Sequence, residues 1–293
     1  MNAQLIADAI IAGAVYALVA VGFAVIYRTV RFFHFAHGAV YAVGPYAAYV
    51  TAQSLGHGGW LLAPAWGGGI GAACLVGIGV DRFVYRPLRA RKAPGLIFLM
   101  ASFGVFIFLQ NLLQLVFGAS VLTMRTGDVM EGHHVFGAVT TDSQIAIIAA
   151  AAVVLVGLWV LERWTRLGQE TRAVADDSLA ASVVGINPER VILWTFVIGS
   201  ALAGLAGILI SYETNIEPTM GFNALLKGII ASIIGGIGSI PGAALGGLLL
   251  GLAENLGIWK LPAMWKDTIA FALLILFLLV RPQGILGRKS ERT

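Results

Sequence analysis

Five apolar runs of membrane-spanning length, and a shorter sixth, leave this chain few ways to fold. A helix needs about 20 apolar residues to cross the hydrocarbon of a bilayer. Residues 5–27, 60–80, 96–117, 144–161 and 191–212 meet or approach that length, and residues 268–280 form the shorter run. Two further stretches are irregular. Residues 32–50 are long enough to span but contain His34, His37, Gly44 and Pro45. Residues 225–256 are interrupted by Gly235, Gly236, Gly238, Pro241 and Gly242. Gly-Gly and Pro-Gly both weaken a helical backbone ladder, so two short helices joined by a glycine-rich elbow are expected. Such a break at membrane depth persists only where protein buries it or where it lines a watery path.

Composition agrees. Hydrophobic residues make up 58% of the chain, charged residues 12%, and the mean hydropathy is +0.87. A soluble domain carries about 25% charged residues to wet its surface. A soluble enzyme, a disordered chain and a nucleic-acid-binding domain are therefore excluded, and the basic pI near 9.4 reflects loops that orient spans. The single Cys74 excludes a disulfide framework or a cysteine zinc site. Residues 1–8 contain no Lys or Arg, so the first span is expected to remain rather than be cleaved as a signal.

Orientation follows from the loops. Arg28 and Arg31 follow the first span, Arg82, Arg86, Arg89, Arg91 and Lys92 lie in the next basic loop, and Arg163, Arg166, Arg172 and Arg190 flank the 162–190 loop. Arg281, Arg288, Lys289 and Arg292 end the chain. Only Arg125, Lys227, Lys260 and Lys266 are left for the other side, together with eight of the 15 acids. The positive-inside rule makes the first set cytoplasmic, with the N-terminus outside and the C-terminus inside. That parity requires the 225–256 segment to start and finish on one side. The expected fold is an all-α polytopic membrane protein, one transmembrane domain over residues 1–293, with seven full spans plus that hairpin; eight or nine spans are the alternatives.

Small residues four apart, at Gly67/Gly71, Gly242/Gly246, Gly247/Gly251 and Gly199/Ala203/Gly207, predict close helix packing. His34 and His37, three apart, share a helical face if residues 32–50 are helical. Two imidazoles lack the further ligands of a zinc site, so a hydrogen-bonded helix contact or a pore-lining pair is the better reading. Gln110, Asn111 and Gln114 either tie helices together or line a hydrated route, and the pattern does not choose. Glu213 and Glu217 cluster at the outer end of a span, as a loop edge or a pathway mouth. No H-E-x-x-H, G-x-S-x-G or phosphate-binding G-x-x-x-x-G-K-[ST] is present. If ATP drives this protein, another chain must bind it.

The 162–190 loop reads as one or two short amphipathic helices. Glu170 and Arg172 open it, Asp176 and Asp177 lie within it, and Ala173, Leu179, Ala180, Val183 and Val184 form a small apolar face. Gly185 and Pro188 are stop signals. A helix lying on the membrane surface is one reading; a docking element is the other, and a plain connector needs neither the stops nor the small-residue face.

Ala180-Ala181-x-x-x-Gly185 resembles the core of the cytoplasmic coupling motif of ABC-importer permeases, with Leu179 in place of the usual Glu and no downstream Ile-x-Leu-Pro. A narrower resemblance covers almost the whole chain in order. Gly13-Ala14-Val15-Tyr16-Ala17-Leu18, Phe35-Ala36-His37-Gly38, Val84-Tyr85-Arg86-Pro87-Leu88-Arg89, Ala180 through Asn187, Gly235 through Ala243 and Asp267 through Gly287 are similar to the branched-chain amino-acid ABC transporter permeases, the LivH-like membrane subunits. Phe33-His34 stands where many members have an Ile-Asn-like pair.

The resemblance implies an importer with a second homologous permease, two cytoplasmic ATPases and a soluble periplasmic or lipid-anchored solute-binding protein in a bacterial inner membrane. ATP and Mg²⁺ would sit on the ATPases, with no cofactor on this chain. The implied solutes are leucine, isoleucine and valine, or urea, amides and other small polar solutes. Glu170, Arg172, Asp176, Asp177, Leu179, Ala180, Ala181 and Gly185 become candidates for ATPase coupling, with Ala181 and Gly185 expected to face the ATPase together. His34, His37, Gln110, Asn111, Gln114, Glu213 and Glu217 are candidates for the pathway. The competing class is an ATP-independent channel or secondary carrier, to which broken hairpins are also suited.

Overall fold

The computed structural model describes residues 2–55, 62–124, 132–135 and 137–287. Arg125, Arg288, Lys289 and Arg292, counted in the charge asymmetry, lie outside the described residues. Among those described the chain is almost entirely helical. In order come α1 (Asn2–Val30), α2 (Ala36–Leu55), α3 (Leu62–Val80), a π-helical turn (Asp81–Tyr85) leading directly into α4 (Arg86–Ala90), and α5 (Gly95–Phe117). After a small hairpin, β1 (His133–Val135) with β2 (Ala138–Thr140), come α6 (Asp142–Trp164), α7 (Arg166–Asp176), α8 (Ser178–Val183) and α9 (Pro188–Ser211). The chain continues through α10 (Met220–Gly235), α11 (Ile240–Gly257), a 3-10 turn (Ala263–Trp265) and α12 (Lys266–Val280). Among the described residues seven helical segments are long and apolar enough to cross a membrane: six cover the expected apolar runs, the seventh is α11, and α2, expected as a full span, is not among them.

The bundle is built on α1, which packs most extensively on α11 and then on α9 and α10. Glycine sets those distances. A Cβ on Gly247 would come within 2.4 Å of the Ala17 backbone, and one on Gly251 within 2.4 Å of the Gly13 backbone. The α1–α11 seam is thus backbone against backbone, which is how helices associate where lipid offers no hydrophobic contrast. Gly67 and Gly71 depart from expectation: a Cβ added at either would meet nothing within 4 Å, so neither makes a close glycine contact with a helix among the described residues.

The expected elbow is present. α10 stops at Gly235, Gly236 and Gly238 take φ of +111° and +81°, and α11 begins with Pro241 in its first turn and Ser239 capping Gly242 N at 3.2 Å. Left-handed φ is open to glycine without steric cost, so the turn needs those two residues. The elbow lies at the end of α1 that carries Arg28, and Ile285 N and Leu286 N donate to the Ile234 and Gly235 carbonyls at 2.9 Å each. The hairpin therefore turns on the basic side.

The 32–50 span is corrected at its start. Residues 32–35 are not helical; Arg31 adopts φ +53° and α2 begins only at Ala36. His37 reaches the Val19 carbonyl of α1 (3.3 Å), so α2 starts inside the bundle rather than at its edge. Its first turn meets that of α10, where a Cβ on Gly38 would lie 2.6 Å from the Gly221 carbonyl oxygen. Pro45 stays within α2.

Candidate functional site

Two places on this frame can do chemistry or make contacts that a plain bundle does not need. The first is α7–α8 on the basic side. Thr165 caps α7 through Gly168 N (3.2 Å). Asp177 ends α7 and caps α8, its carboxylate accepting from Leu179 N at 2.8 Å and Ala180 N at 3.1 Å. Gly185, at φ +89°, closes the turn after α8, and Asn187 with Pro188 starts α9. The predicted stop signals are all used.

Which face is free differs from expectation. Ala181 is only 3% exposed, packed with Val174 and Val191 of the same chain, whereas Gly185 is exposed. The two do not present one common face, because Gly185 lies beyond the helix in a left-handed turn. The surface turned outward is Leu179 (75% exposed), Val183 (82%) and Val184 (74%), with Ala180 beside them. Three bulky apolar side chains on and just after a six-residue helix at the basic end form an uncovered patch that water disfavours. Glu170 and Arg172 are half-buried and Asp176 is exposed.

This unit is fastened to the bundle by arginines. Arg28 of α1 pairs with Glu162 at the end of α6, and Arg172 of α7 donates to the Glu162 carbonyl. Arg31 Nη2 donates to the Ala175 carbonyl at 2.5 Å, gripping the last turn of α7. On the same side Arg89 of α4 bridges buried Asp81 (2.8 Å) and Glu189 of α9 (2.8 Å), fixing the π-helical turn to α9.

The second place is the helix surface around α5 and α10. Asn111 and Gln114 are exposed and Gln110 half-buried; Asn111 Nδ2 donates to the Ile107 carbonyl at 2.8 Å. α5 meets α10 through Phe106 and Phe222, with ring centroids 5.9 Å apart, and Phe222 and Asn223 remain exposed. Glu217 is exposed, while Glu213 accepts from Ser143 Oγ (2.8 Å) and Gln144 Nε2 (3.0 Å), clamping the end of α9 to the first turn of α6. His34 and His37 are completely buried within the subunit, so they line no open surface of this chain. His34 Nδ1 pairs with Tyr85 OH (2.9 Å), and the two imidazole rings lie edge-on with centroids 6.0 Å apart.

One cluster escapes the sequence reading. Lys227 is a helix residue rather than a loop cation: its ammonium donates to both oxygens of fully buried Glu254 in α11 (2.8 and 2.9 Å) and lies 3.3 Å from Asp267 of α12. Tyr16 OH, halfway along α1, donates to the same Glu254 at 2.9 Å. Four helices are thereby tied around one buried charge pair. A Lys interrupting one apolar run and a Glu interrupting the next were the signal, since an intramembrane charge needs a partner.

Comparison with known proteins fits these features. The family of branched-chain amino acid transport system permease components matches residues 5–278. The chain is 41% identical to the high-affinity branched-chain amino acid transport system permease protein LivH of Escherichia coli K12, over 94% of this chain and 92% of that protein. It is 38% identical to the high-affinity branched-chain amino acid transport system permease protein BraD of Pseudomonas aeruginosa, over 97% and 95% respectively. A probable branched-chain amino acid transport permease protein LivH of Methanocaldococcus jannaschii is 26% identical over 97% of this chain and 92% of that protein. No solved structure matches. A match of this extent to transport permeases, on a bundle of membrane-spanning helices, places the chain in the family of branched-chain amino acid transport system permeases.

Proposed function

We propose that the chain is the membrane-spanning subunit of an ATP-binding-cassette importer for leucine, isoleucine and valine or a similar small polar solute. The observation that carries the coupling half of this reading is the α8 patch of Leu179, Val183 and Val184, apolar, uncovered and mounted on α1, α6 and α7 through Arg28, Glu162 and Arg172. A patch resting on lipid would need no such rigid mount. In this reading two cytoplasmic ATPases, which carry ATP and Mg²⁺, dock on α8 of this chain and of a second homologous permease. The basic side is cytoplasmic in a bacterial inner membrane, and the N-terminus is outside. A periplasmic or lipid-anchored binding protein delivers solute at the side of Glu213 and Glu217.

The chain's own residues then have defined tasks. Leu179, Ala180, Val183 and Val184 take up the ATPase movement; Arg28, Arg172 and Glu162 hold α7 and α8 at a fixed distance from the bundle. Gln110, Asn111, Gln114 and Asn223 offer amides to a hydrated route between the two permeases, where polar groups at membrane depth find partners. Two states alternate, and each partner must contact them differently for ATP to bias the equilibrium.

The test is biochemical. Purified alone, the chain should neither retain nor hydrolyse ATP. Joined by its ATPases and paired permease, it should support hydrolysis that rises when solute-loaded binding protein is added. Solute flux through the isolated chain, unchanged by ATP, would support the channel or carrier reading instead.

A further inference from the structure

The geometry points to Arg31 as the positioning residue that transmits movement of α8 into the bundle, an inference that rests on the importer reading above. Three observations meet at this residue. Arg31 stands at φ +53°, a left-handed conformation that L residues other than glycine seldom adopt, and its N–H still closes the last turn of α1 on the Tyr27 carbonyl at 2.8 Å. Its guanidinium grips the Ala175 carbonyl at 2.5 Å, two residues before the Asp177 cap on which α8 is built.

Beyond it, residues 32–35 run without helix into the interior. Phe32 packs on Tyr85 (5.0 Å between centroids) and Phe98 (5.1 Å), and His34 bonds Tyr85 OH. That segment ends where α2 and α10 touch backbone to backbone at Gly38 and Gly221, next to exposed Phe222 and Asn223.

Ala181 rests on Val191 of α9, and the other polar fastenings of α7–α8 act differently from Arg31. Arg28 and Arg172 both converge on Glu162 and hold the start of α7 to α6 and α1, so they anchor the unit without reaching its far end. Arg31 holds the end next to α8, and it is covalently continuous with the non-helical segment leading to the α2–α10 junction. A closely packed interior passes such a displacement on rather than absorbing it. A displacement of α8 therefore pulls on residue 31 and, through residues 32–35, shifts the first turns of α2 and α10, which border the proposed pathway.

Arg31→Gly separates this role from folding, because glycine accepts φ +53° without strain and removes only the guanidinium-bearing side chain. The assembled importer, with ATPases, second permease and leucine-loaded binding protein, is reconstituted with Arg31, Arg31→Gly or Arg31→Lys. Three readouts are taken: ATPase co-purification, hydrolysis with and without binding protein, and thiol labelling of Asn223→Cys with and without ATP in a Cys74→Ser background.

Arg31→Gly should keep the ATPases and the basal hydrolysis. It should lose stimulation by about 5- to 150-fold, the usual span of coupling between sites, and thiol labelling at position 223 should no longer respond to ATP. Arg31→Lys, which retains a donor, should recover part of the stimulation. Stimulation within about twofold of the parent, with ATP-dependent labelling intact, overturns the inference alone. Loss of the ATPases from the Arg31→Gly complex also overturns it, since Arg31 would then belong to docking. Failure of the unaltered chain to bind ATPases removes the importer reading and this inference with it.

Discussion

Replacing Lys227 by Met removes the only cation within bonding distance of Glu254 among the described residues. Glu254 is fully buried, so no bulk water can take the place of the ammonium, and Tyr16 OH is the side-chain donor that remains. Breaking a buried ion pair from one side costs about 3–5 kcal/mol, because an uncompensated charge is left behind. Neutralising both members leaves no such charge, and exchanging a buried pair for neutral side chains of similar volume is often nearly free. Lys227→Met should therefore be severe, and Lys227→Met with Glu254→Gln much milder, with a coupling of at least about 2 kcal/mol between the two sites. Unfolding of the four proteins of the cycle in mixed micelles with increasing dodecyl sulfate, followed by the fluorescence of the seven tryptophans, measures it. Additive effects, with the double variant as unstable as the sum of the singles, would refute the claim that this pair holds α10 to α11.

The remaining predictions concern the coupling surface, the orientation and the glycine seams. Leu179→Arg should abolish ATPase co-purification while the permease itself accumulates normally. Ala181→Arg should instead reduce the amount of folded permease, since it forces a long chain into a packed site where overpacking costs about 1–3 kcal/mol; quantitative blots of membranes and of pull-downs separate the two. In a Cys74→Ser background, cysteines at Ala93 and Ser178 should resist impermeant thiol reagents in intact cells, and cysteines at Ser120 and Thr219 should react. Labelling of the first pair from outside would reverse the proposed orientation. Gly251→Leu should destabilise the bundle by thrusting a side chain into the Gly13 backbone, while Gly71→Leu, with nothing within 4 Å, should leave the thermal unfolding of the isolated chain unchanged.

Residue chemistry explains which features could be read in advance. The elbow was legible because Gly236, Gly238 and Pro241 act locally: their backbone preferences do not depend on what surrounds them. The stop signals after α8, Gly185 and Pro188, were legible for the same reason, whereas the Asp177 cap before it was not read. Residues 32–35 were not, because Phe32, Phe33 and Phe35 are as apolar as any helix and the packing of Phe32 on Tyr85 and Phe98 and of His34 on Tyr85 is made by residues distant in sequence. The direction of Ala181 was equally hidden, since a six-residue helix has too little periodicity to fix its inner face before Val174 and Val191 are in place. Lys227 and Glu254 stand 27 residues apart on two helices, so the sequence signals that each buried charge needs a partner without showing which partner it meets. Resemblance to a family names the protein's class, but it does not distinguish the outward Leu179 and Val183 from the inward Ala181; that distinction comes from the fold.

Uptake into proteoliposomes tests the central claim most directly. The chain is reconstituted with its paired permease and ATPases, ATP is enclosed on the ATPase side, and labelled leucine is presented with binding protein on the other. The account predicts uptake that requires ATP and binding protein together and that vanishes with Leu179→Arg. Uptake that proceeds equally without ATP, or that survives Leu179→Arg unchanged, would contradict it.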